Sequence, residues 1–555
     1  MSDAESNGFW VRGYGGDGAV LLAFDLDEGK TEKLAGFAIK CVTPQKGPYP
    51  TNEYFLPNRL SFGQKLTRSK RVDASTYVGS DKAPFQMFHW VHFPYAGPGK
   101  YSYTVYLSYF KNNGAIELGA NRTAEVSLSY RSFPGLELGF TRGYVSSQAY
   151  ADRFQNKPIV PTPKSIDFDT TSYISQYQWL GAHARKIIFD FLQECQTDPS
   201  ISVDVFSYDF NEPDVIRELS KLGKRVRVFQ DNAPLHVKKS ALEPRTIEAL
   251  KAAGANVKVG HFNRFAHDKV LIQKKNGKAC KVLTGSANFS VRGLYVQANS
   301  VLVFDDPDVA GLYELAFQQA FDAENKFKSS QIASKWYDIS KNNLPALSVS
   351  FAPHTSAFSL VKVGDAINSA RSSVLFAIME MGGKGPVMSA LKALGGRKGI
   401  VSLGTIESAS QLKLFKPGID ANSAVVSFDF LKKDVPEPFK TEWSGGAGQV
   451  IHHKFVVCDF NDQLPVAFCG SSNLSQGGEE SNGDNLIAIQ NAEVATAYAV
   501  EAIRLFDHYR FRSLHQKSSA KHPLALQANN DWVKPYYDNT NMKFSERKLL
   551  IGAHN

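Results

Sequence analysis

A duplicated pair of motifs constrains this chain more than any other feature of its 555 residues. In each copy a histidine and a lysine stand two positions apart, and a glycine-serine-x-asparagine run begins 18 residues after the histidine. Both motifs recur with the same offset of 185 residues, which chance does not explain. A repeat of this length predicts two copies of one domain. The first copy is His267-Asp268-Lys269 with Gly285-Ser286-Ala287-Asn288, and the second is His452-His453-Lys454 with Gly470-Ser471-Ser472-Asn473.

The residue types of these motifs suit the binding of a phosphate anion. Side chains two positions apart on a strand point to the same face, so each histidine projects beside its lysine. Glycine permits a tight backbone path at the end of the following strand, and serine and asparagine offer small hydrogen-bond donors. If the two half-sites meet across a pseudo-twofold interface, they place two imidazoles, two ammonium groups and two carboxamides around one point.

The paired motifs resemble those of the phospholipase D superfamily, and the resemblance covers roughly residues 165–515. It implies an enzyme, a phosphodiesterase that forms a phosphohistidine in one composite active site. One histidine attacks phosphorus, while the other protonates the leaving oxygen and later activates water. This division needs one neutral and one protonated imidazole, which histidine supplies near neutral pH. We assign the attack to His267 and the acid/base steps to His452, because the N-terminal histidine is often the nucleophile in related enzymes.

The resemblance also implies roles for the other motif residues. Charge on the non-bridging oxygens would be stabilised by Lys269, Lys454, Asn288 and Asn473, while Ser286 and Ser471 would orient the site. No metal and no other cofactor is implied, because two lysines and two imidazoles supply the positive charge that a divalent ion would otherwise bring. The sequence also lacks the clustered carboxylates of two-metal nucleases.

The two copies depart from the superfamily pattern in different ways. An aspartate usually follows the motif lysine by five positions, and the second copy has Asp459 there, whereas the first has Lys274. The acidic residue that orients the opposite histidine is predicted to be Asp484 in the second copy. The matching stretch of the first copy, residues 297–299, is Gln-Ala-Asn and contains no carboxylate. The two histidines are therefore not expected to be equivalent.

The order of predicted elements divides the chain into three domains. Short alternating strands separated by glycine, proline and asparagine turns come first and predict an antiparallel β-sandwich. Strands then alternate with amphipathic helices twice in a similar order, which predicts two layered α/β domains with largely parallel sheets. The predicted domains are a β-sandwich over residues 1–156, a first phospholipase D-like half over 165–338, and a second half with a C-terminal extension over 339–555. A pseudo-twofold axis is expected to relate the two halves.

Composition bears on the compartment and on the partner. Five scattered cysteines with no close pair indicate a reducing environment, so we expect a cytoplasmic protein. The first residues lack a basic patch followed by an apolar run, and the longest apolar stretches are strand-sized, which predicts neither a cleaved leader nor a transmembrane segment. A net charge of +9 favours a polyanionic partner such as nucleic acid or an anionic membrane surface.

Three functions fit the sequence. A nuclease is favoured by the basic balance and by the absence of a predicted membrane anchor. A phospholipase D-type enzyme that releases phospholipid headgroups is the alternative, and aromatic segments at residues 336–337 and 532–537 would suit it, although aromatics more often pack in cores. The third possibility is a catalytically silent scaffold whose working part is the N-terminal domain. That domain could bind a protein or a nucleic-acid strand.

Overall fold

A computed structural model gives the architecture of the chain. It describes residues 7–46, 51–68, 74–143, 147–161, 163–408, 410–411, 423–428 and 450–552. Within these ranges the chain forms a set of antiparallel sheets at the N-terminus, followed by two large mixed sheets with helices packed against them. None of the described helices is both long enough and apolar enough to cross a membrane.

The N-terminal region is built from antiparallel sheets, as predicted. One sheet has the order β1-β2-β7 and another the order β4-β3-β8-β9, and β5 pairs with β6. Side chains alternate along β8, where Tyr101, Tyr103 and Val105 are buried, and they pack in a core to which both larger sheets contribute. The strands are β1 Phe9–Gly15, β2 Val20–Leu26, β3 Leu34–Val42, β4 Glu53–Phe55, β5 Pro57–Asn58, β6 Val78–Gly79, β7 His89–His92, β8 Gly99–Phe110 and β9 Ile116–Leu128.

The first α/β half contains an eight-stranded sheet in the order β10-β11-β18-β17-β16-β12-β13-β14. Its strands are β10 Arg131–Phe133, β11 Leu136–Phe140, β12 Ile201–Ser207, β13 Val226–Asp231, β14 Asn256–Gly260, β16 Val270–Lys275, β17 Lys278–Gly285 and β18 Ser300–Phe304, and the short β15 is Phe265–Ala266. The helices are α1 Ser147–Phe154, α2 Ile174–Thr197, α3 Pro213–Leu222, α4 Pro234–Val237, α5 Glu243–Ala252, α6 Val291–Tyr295 and α7 Pro307–Ala323.

The second half repeats this topology strand for strand, in the order β19-β20-β26-β25-β24-β21-β22-β23. The strands are β19 Tyr337–Ile339, β20 Ala346–Ala352, β21 Ser373–Ile378, β22 Val401–Ile406, β23 Ser423–Ser427, β24 Phe455–Cys458, β25 Val466–Gly470 and β26 Asn482–Gln490. The helices are α8 Phe358–Ser369, α9 Pro386–Ala393, α10 Gln476–Glu479 and α11 Ala492–Lys517. The prediction of a repeated α/β domain is confirmed.

The expectation of largely parallel sheets is wrong. Along the order of each large sheet only three strands run parallel, β12-β13-β14 and β21-β22-β23, and the other pairs in that order are antiparallel. The short β15 adds one parallel pair with β26. The reason is visible between β16 and β17, which are joined by Asn276 and Gly277 with φ of 50° and 80°. A two-residue turn of this kind forces an antiparallel hairpin, since a parallel connection needs a crossover of about a dozen residues.

The long helix that follows each sheet begins in the same way. Helix α7 is capped by Asp306, whose carboxylate accepts hydrogen bonds from the backbone of Asp308 and Val309. Helix α11 is capped by Asn491, whose side chain accepts from the backbone of Glu493 and Val494. Both caps satisfy amides that have no partner within the helix, and they lie 185 residues apart. The repeat therefore extends beyond the motifs to the helix that closes each half.

Two segments lie across the domain boundaries that the sequence predicts. Residues 131–140, expected within the N-terminal domain, form β10 and β11 of the first α/β sheet. The C-terminal helices α12 Lys534–Tyr537 and α13 Met542–Ile551, expected in the second half, pack on the N-terminal sheets. There Trp532 Nε1 donates to Leu34 O over 3.0 Å, and Arg547 pairs with Asp25 over 2.6 Å.

Candidate active site

The two motif histidines lie at equivalent places in the two halves. Residues 267–269 form an extended stretch immediately before β16, and residues 452–454 do so before β24. The glycines of the second motif end the neighbouring strands, since Gly285 closes β17 and Gly470 closes β25. Both glycines have positive φ, and a side chain there would meet backbone at 2.3 to 2.5 Å. This tight turn brings each serine and asparagine under the histidine of the opposite half.

Backbone pairing between the halves positions the histidines. Strand β15 pairs with β26 in parallel, so that Ala266 lies opposite Gly483, and a matching bridge joins Ile451 to Ala298. Ile451 lies 185 positions after Ala266, and Gly483 lies 185 positions after Ala298. The amide of His267 donates to Gly483 O over 2.8 Å, and that of His452 donates to Ala298 O over 3.3 Å. Each half therefore holds the histidine of the other.

A buried carboxylate fixes the chain just before each histidine. Asp231 Oδ1 accepts from the amide of Ala266 over 2.6 Å, and Glu407 Oε2 accepts from the amide of Ile451 over 2.8 Å. Asp231 is the last residue of β13 and Glu407 directly follows β22, so both acids lie at the end of the second parallel strand of their sheet. Hydrogen bonds to a charged acceptor are stronger than neutral ones, so these contacts restrict the backbone from which the imidazoles project.

The imidazoles face each other across one cleft. Their ring centroids are 6.5 Å apart, and both rings line a cavity of about 1010 Å³. His267 Nδ1 hydrogen-bonds to Asp484 Oδ1 over 2.7 Å, and His452 Nδ1 hydrogen-bonds to Asn299 Oδ1 over 2.9 Å. Asp484 and Asn299 differ by 185 positions, so a carboxylate in one half-site has an amide as its counterpart in the other. Neither Nε2 atom bonds to a residue that the structure describes.

Both motif lysines are buried beneath their histidines. Lys269 Nζ donates to His267 O and lies 4.8 Å from the centre of the Tyr208 ring. Lys454 Nζ donates to His452 O over 2.8 Å and to Met379 Sδ over 3.3 Å. Burial lowers the pKa of Lys269 to about 8, and burial together with Lys269 lowers that of Lys454 far below its usual value. Both lysines are therefore short of the hydration that stabilises a charged ammonium group.

The same shortage acts on the histidines. Burial is the main cause that lowers the pKa of both imidazoles well below the usual value, and the two lysine ammonium groups add to it. Burial and the neighbouring Asp268 raise the pKa of Asp484. An anion in the cleft would oppose the lowered pKa values of the histidines and lysines, because it favours every cationic form around it. The site is thus electrostatically suited to a phosphate group.

The serines and asparagines of the second motif surround this point. Ser286 Oγ donates to Asn299 Oδ1 over 2.8 Å, and Ser471 Oγ donates to Asp268 Oδ1 over 3.2 Å. Asn288 Nδ2 donates to Asp209 Oδ2 over 2.9 Å. Three buried oxygen atoms at this point have no hydrogen-bond partner among the described residues: Asn288 Oδ1, Asn473 Oδ1 and Asp484 Oδ2. Unpartnered buried polar atoms at a cleft are free to meet a polar ligand.

Comparison with known families identifies the architecture. A family described as "Cardiolipin synthase, PLD-like domain" matches residues 188–321 and 363–506, which together make half of the chain. The chain belongs to the phospholipase D superfamily. The predicted resemblance is confirmed, and so is the prediction of an enzyme of the phosphodiesterase class that this superfamily represents. Both matched segments contain one complete motif pair.

Solved structures with a similar fold include several members of the superfamily. Phosphatidylserine synthase of Haemophilus influenzae is 11% identical with a TM-score of 0.39, and the match covers 68% of this chain and 94% of that one. Nuc of Salmonella typhimurium, titled a phospholipase D family member, is 21% identical with a TM-score of 0.22 and coverages of 25% and 87%. Polyphosphate kinase of Porphyromonas gingivalis is 12% identical with a TM-score of 0.38 and coverages of 56% and 45%, so the chain spans less than half of that enzyme. Among curated proteins, none matches.

One group of side chains beside the cleft could hold a metal ion. Ligand atoms of Asp209, His236 and Glu243 lie within 4.8 Å of one another among the described residues. Burial opposes a charged His236, but its hydrogen bonds to Asp209 and Asp231 outweigh it and raise the pKa of His236 to about 9. A protonated imidazole between two carboxylates already occupies the place of a cation. The group therefore orients Asp209, which in turn holds Asn288, and the expectation of a site without metal stays a prediction.

Asp459 lies apart from the residues that the structure brings together. Its carboxylate accepts hydrogen bonds from the amides of Arg371 and Ser372 over 2.7 and 2.9 Å, at the end of β24 away from the histidines. It ties two loops together and touches no other predicted site residue. The superfamily pattern predicts Asp459 at the site, because an aspartate usually follows the motif lysine by five positions. Strand β24, however, carries the chain away from the cleft between Lys454 and Asp459.

Several residues that shape the site were missed. Asp209 accepts a hydrogen bond from the motif residue Asn288, whereas Asp231 and Glu407 accept one and two hydrogen bonds from the backbone just before the histidines. No short motif announces these three acids. Asn299 was noted only for its lack of a carboxylate. The constant offset of 185 positions could have indicated the role of Asn299, because Asn299 occupies the position in the first half that Asp484 occupies in the second. Asp231 and Glu407 do not obey that offset, since the loops before the motifs differ in length between the halves.

Proposed function

We propose that the chain hydrolyses phosphodiesters of nucleic acid in one composite site, without a metal and through a phosphohistidine on His267. The observation that carries this proposal is the facing pair of imidazoles with their Nδ1 atoms tied back. A phosphorus about 3 Å from one Nε2 and a leaving oxygen about 2.6–3.2 Å from the other fit a centroid separation of 6.5 Å.

The first step would form a nitrogen–phosphorus bond. His267 Nε2 gives its electron pair to phosphorus while the bond to the leaving oxygen breaks, and that oxygen takes the proton from His452 Nε2. The Asp484 carboxylate, 2.7 Å from His267 Nδ1, would stabilise the positive charge that develops on the attacking ring. This contact supports the assignment of His267 as the nucleophile, since His452 has only the neutral amide of Asn299 at the same place.

The second step would return the enzyme to its starting state. His452, now neutral, takes a proton from water, and the water oxygen attacks phosphorus as the bond to His267 breaks. Lys269, Lys454, Asn288 and Asn473 would stabilise the charge on the non-bridging oxygens in both steps. Protonation of His452 for the first step is coupled to substrate binding, because the phosphodiester anion offsets the two ammonium groups that hold its pKa down.

The repeated contacts support a pseudo-twofold relation between the halves. Ala266 pairs with Gly483, and Ile451 pairs with Ala298 in the same way. If the two halves are exchanged, each of these contacts takes the place of the other, as a twofold axis requires. We also propose that the antiparallel sheets of the N-terminal region form a sandwich, since β1-β2-β7 and β4-β3-β8-β9 share one core.

Basic side chains at the cleft support nucleic acid as the substrate. Lys164, Lys238, Arg264 and Arg292 line the cavity, and the chain has an excess of nine positive charges. Such groups attract a phosphate backbone without regard to sequence. Phospholipid is a second candidate because Leu235 and Val237, 37% and 57% exposed, flank the buried His236 in the short helix α4 at this cleft. Exposed apolar side chains beside lysines also suit an anionic lipid surface.

An assay panel with excess chelator tests the proposal. The purified protein is offered end-labelled single- and double-stranded DNA, RNA, and vesicles that contain phosphatidylglycerol, with His267→Ala as the control for contaminating enzymes. Strand cleavage by the wild type alone supports the nuclease. Headgroup release without strand cleavage would establish the phospholipase instead. If neither substrate reacts and no phosphorylated protein is trapped, the scaffold hypothesis replaces both.

A further inference from the structure

A second cavity, of about 600 Å³, lies apart from the active cleft at the junction of three regions. The N-terminal sheets contribute Asp17 and Tyr130 to its wall, helix α2 contributes Trp179, and helix α11 contributes Arg504. None of the motif residues lines it. A volume in this range is typical of a site for a small ligand.

The acidic side chains of this cavity are already paired. Asp17 binds His183 over 2.8 Å, Glu501 binds both Arg504 and His453, and Asp190 binds Lys186. Burial opposes a charged His183, but Asp17 and Glu137 outweigh it and raise the pKa of His183 to about 9. These carboxylates are therefore committed to cations of their own.

Two arginines of the same wall are not paired. Among the residues that the structure describes, neither Arg142 nor Arg153 has a carboxylate or hydrogen-bond partner for its guanidinium group. Arg142 lies over the Trp179 ring, 4.9 Å from its centre. Burial, and next Arg504 and Arg153, lower the pKa of Arg142 to about 10. A cation that is partly removed from water and faces other cations is unfavourable unless an anion joins it.

We propose that this junction cavity binds a phosphate group, carried by a small monoester or as inorganic phosphate, with Arg142 and Arg153 as its anchors. Guanidinium groups match the geometry of phosphate oxygens and can bind them through two parallel hydrogen bonds. The aromatic faces of Trp179 and Tyr130 offer contact area for the organic part of an ester. This inference does not depend on the chemistry of the active cleft.

Fluorine NMR of the full chain with 5-fluorotryptophan tests the site locally. The chain has six tryptophans, and Trp179→Phe assigns the resonance at the cavity. Inorganic phosphate, glycerol 1-phosphate and adenosine 5′-monophosphate are titrated separately. We expect a saturable shift of the Trp179 resonance, with an apparent affinity at least about tenfold weaker in Arg142→Gln and in Arg153→Gln. Tighter binding of either ester than of phosphate identifies a monoester as the ligand, and equal binding identifies phosphate itself.

A matched control removes an arginine elsewhere. Arg371 is 69% exposed on the second half, so Arg371→Gln should leave the titration unchanged. The other five resonances report whether each variant is folded, and Arg153→Gln, which changes an exposed side chain, serves if Arg142→Gln does not fold. A Trp179 resonance that does not move with any of the three compounds would overturn the proposal. A shift that survives in both cavity variants would overturn it equally.

Discussion

The two half-sites share one plan and differ in the side chains that surround each histidine. Both histidines are held by backbone bonds from the opposite half and have a lysine beneath them. The side chain that meets Nδ1 is a carboxylate at His267 and an amide at His452. A carboxylate stabilises a ring that becomes positive during attack, whereas an amide orients a ring without fixing its charge. We propose that this difference gives the two copies of the site different chemical roles.

Removing either imidazole should have the largest effect. We expect His267→Ala and His452→Ala each to lower kcat on the order of 10⁴-fold or more for bis(4-nitrophenyl) phosphate, because attack on phosphorus needs His267 and hydrolysis of the phosphohistidine needs His452. Rapid-quench trapping separates the roles, since 4-nitrophenolate leaves without a proton. His452→Ala should still accumulate phosphorylated protein, and His267→Ala should form none. The reverse pattern of trapping would exchange the two assignments.

Replacing the carboxylate at His267 should have the next largest effect. Asp484→Asn makes the two half-sites alike, and we expect a fall in kcat of about 10²-fold or more, because the attacking ring loses its charged partner. Steady-state kinetics on the same substrate measures it. Asp459→Asn is the matched control, since Asp459 binds only loop amides and hydroxyls, and it should leave kcat near the wild-type value. Equal losses in the two variants would contradict the distinction between them.

The substitution Asn299→Asp, which gives His452 a carboxylate partner like that of His267, should alter the pH dependence more than the rate. A carboxylate in Asn299→Asp favours the protonated form of His452 and raises its pKa. The acid function of His452 is present below its pKa and lost above it, so the alkaline limb of kcat/KM should move to higher pH. The measurement is a pH–rate profile with the wild type alongside. An unchanged alkaline limb would mean that another group sets it.

The smallest effect is expected from the carboxylates that hold the chain before each histidine. Glu407→Gln weakens two hydrogen bonds to backbone amides, and we expect a loss of about 1–3 kcal/mol in the free energy of unfolding. Asp231→Asn should cost more, because Asp231 also binds His236 over 2.6 Å. Denaturant unfolding followed by circular dichroism measures both. If Glu407→Gln proves the more damaging variant, the two carboxylates do not have the roles proposed for them.

The repeat made much of the architecture predictable. The 185-residue offset located both motif pairs, and it also relates the helix caps Asp306 and Asn491 and the histidine partners Asn299 and Asp484. Strand direction was harder to predict. The alternation of strands and helices extends over the whole domain, whereas the antiparallel hairpin is decided by two residues alone, Asn276 and Gly277. Asp459 was assigned to the site by counting along the chain, and distance along a chain does not fix distance in space.

The sequence by itself determined that the chain contains two histidine–lysine motifs of one superfamily. It also determined that each histidine would project beside its lysine from one face of an extended segment, because side-chain direction follows from local backbone geometry. The family resemblance predicts that Asp484 orients the opposite histidine, and the structure shows that contact with His267. Only the tertiary structure decided that Asn299 reaches His452, across more than 150 residues of chain. Those partners come from opposite halves and meet because two strands pair across the interface. No local pattern contains that pairing, which arises when the repeated domains pack together.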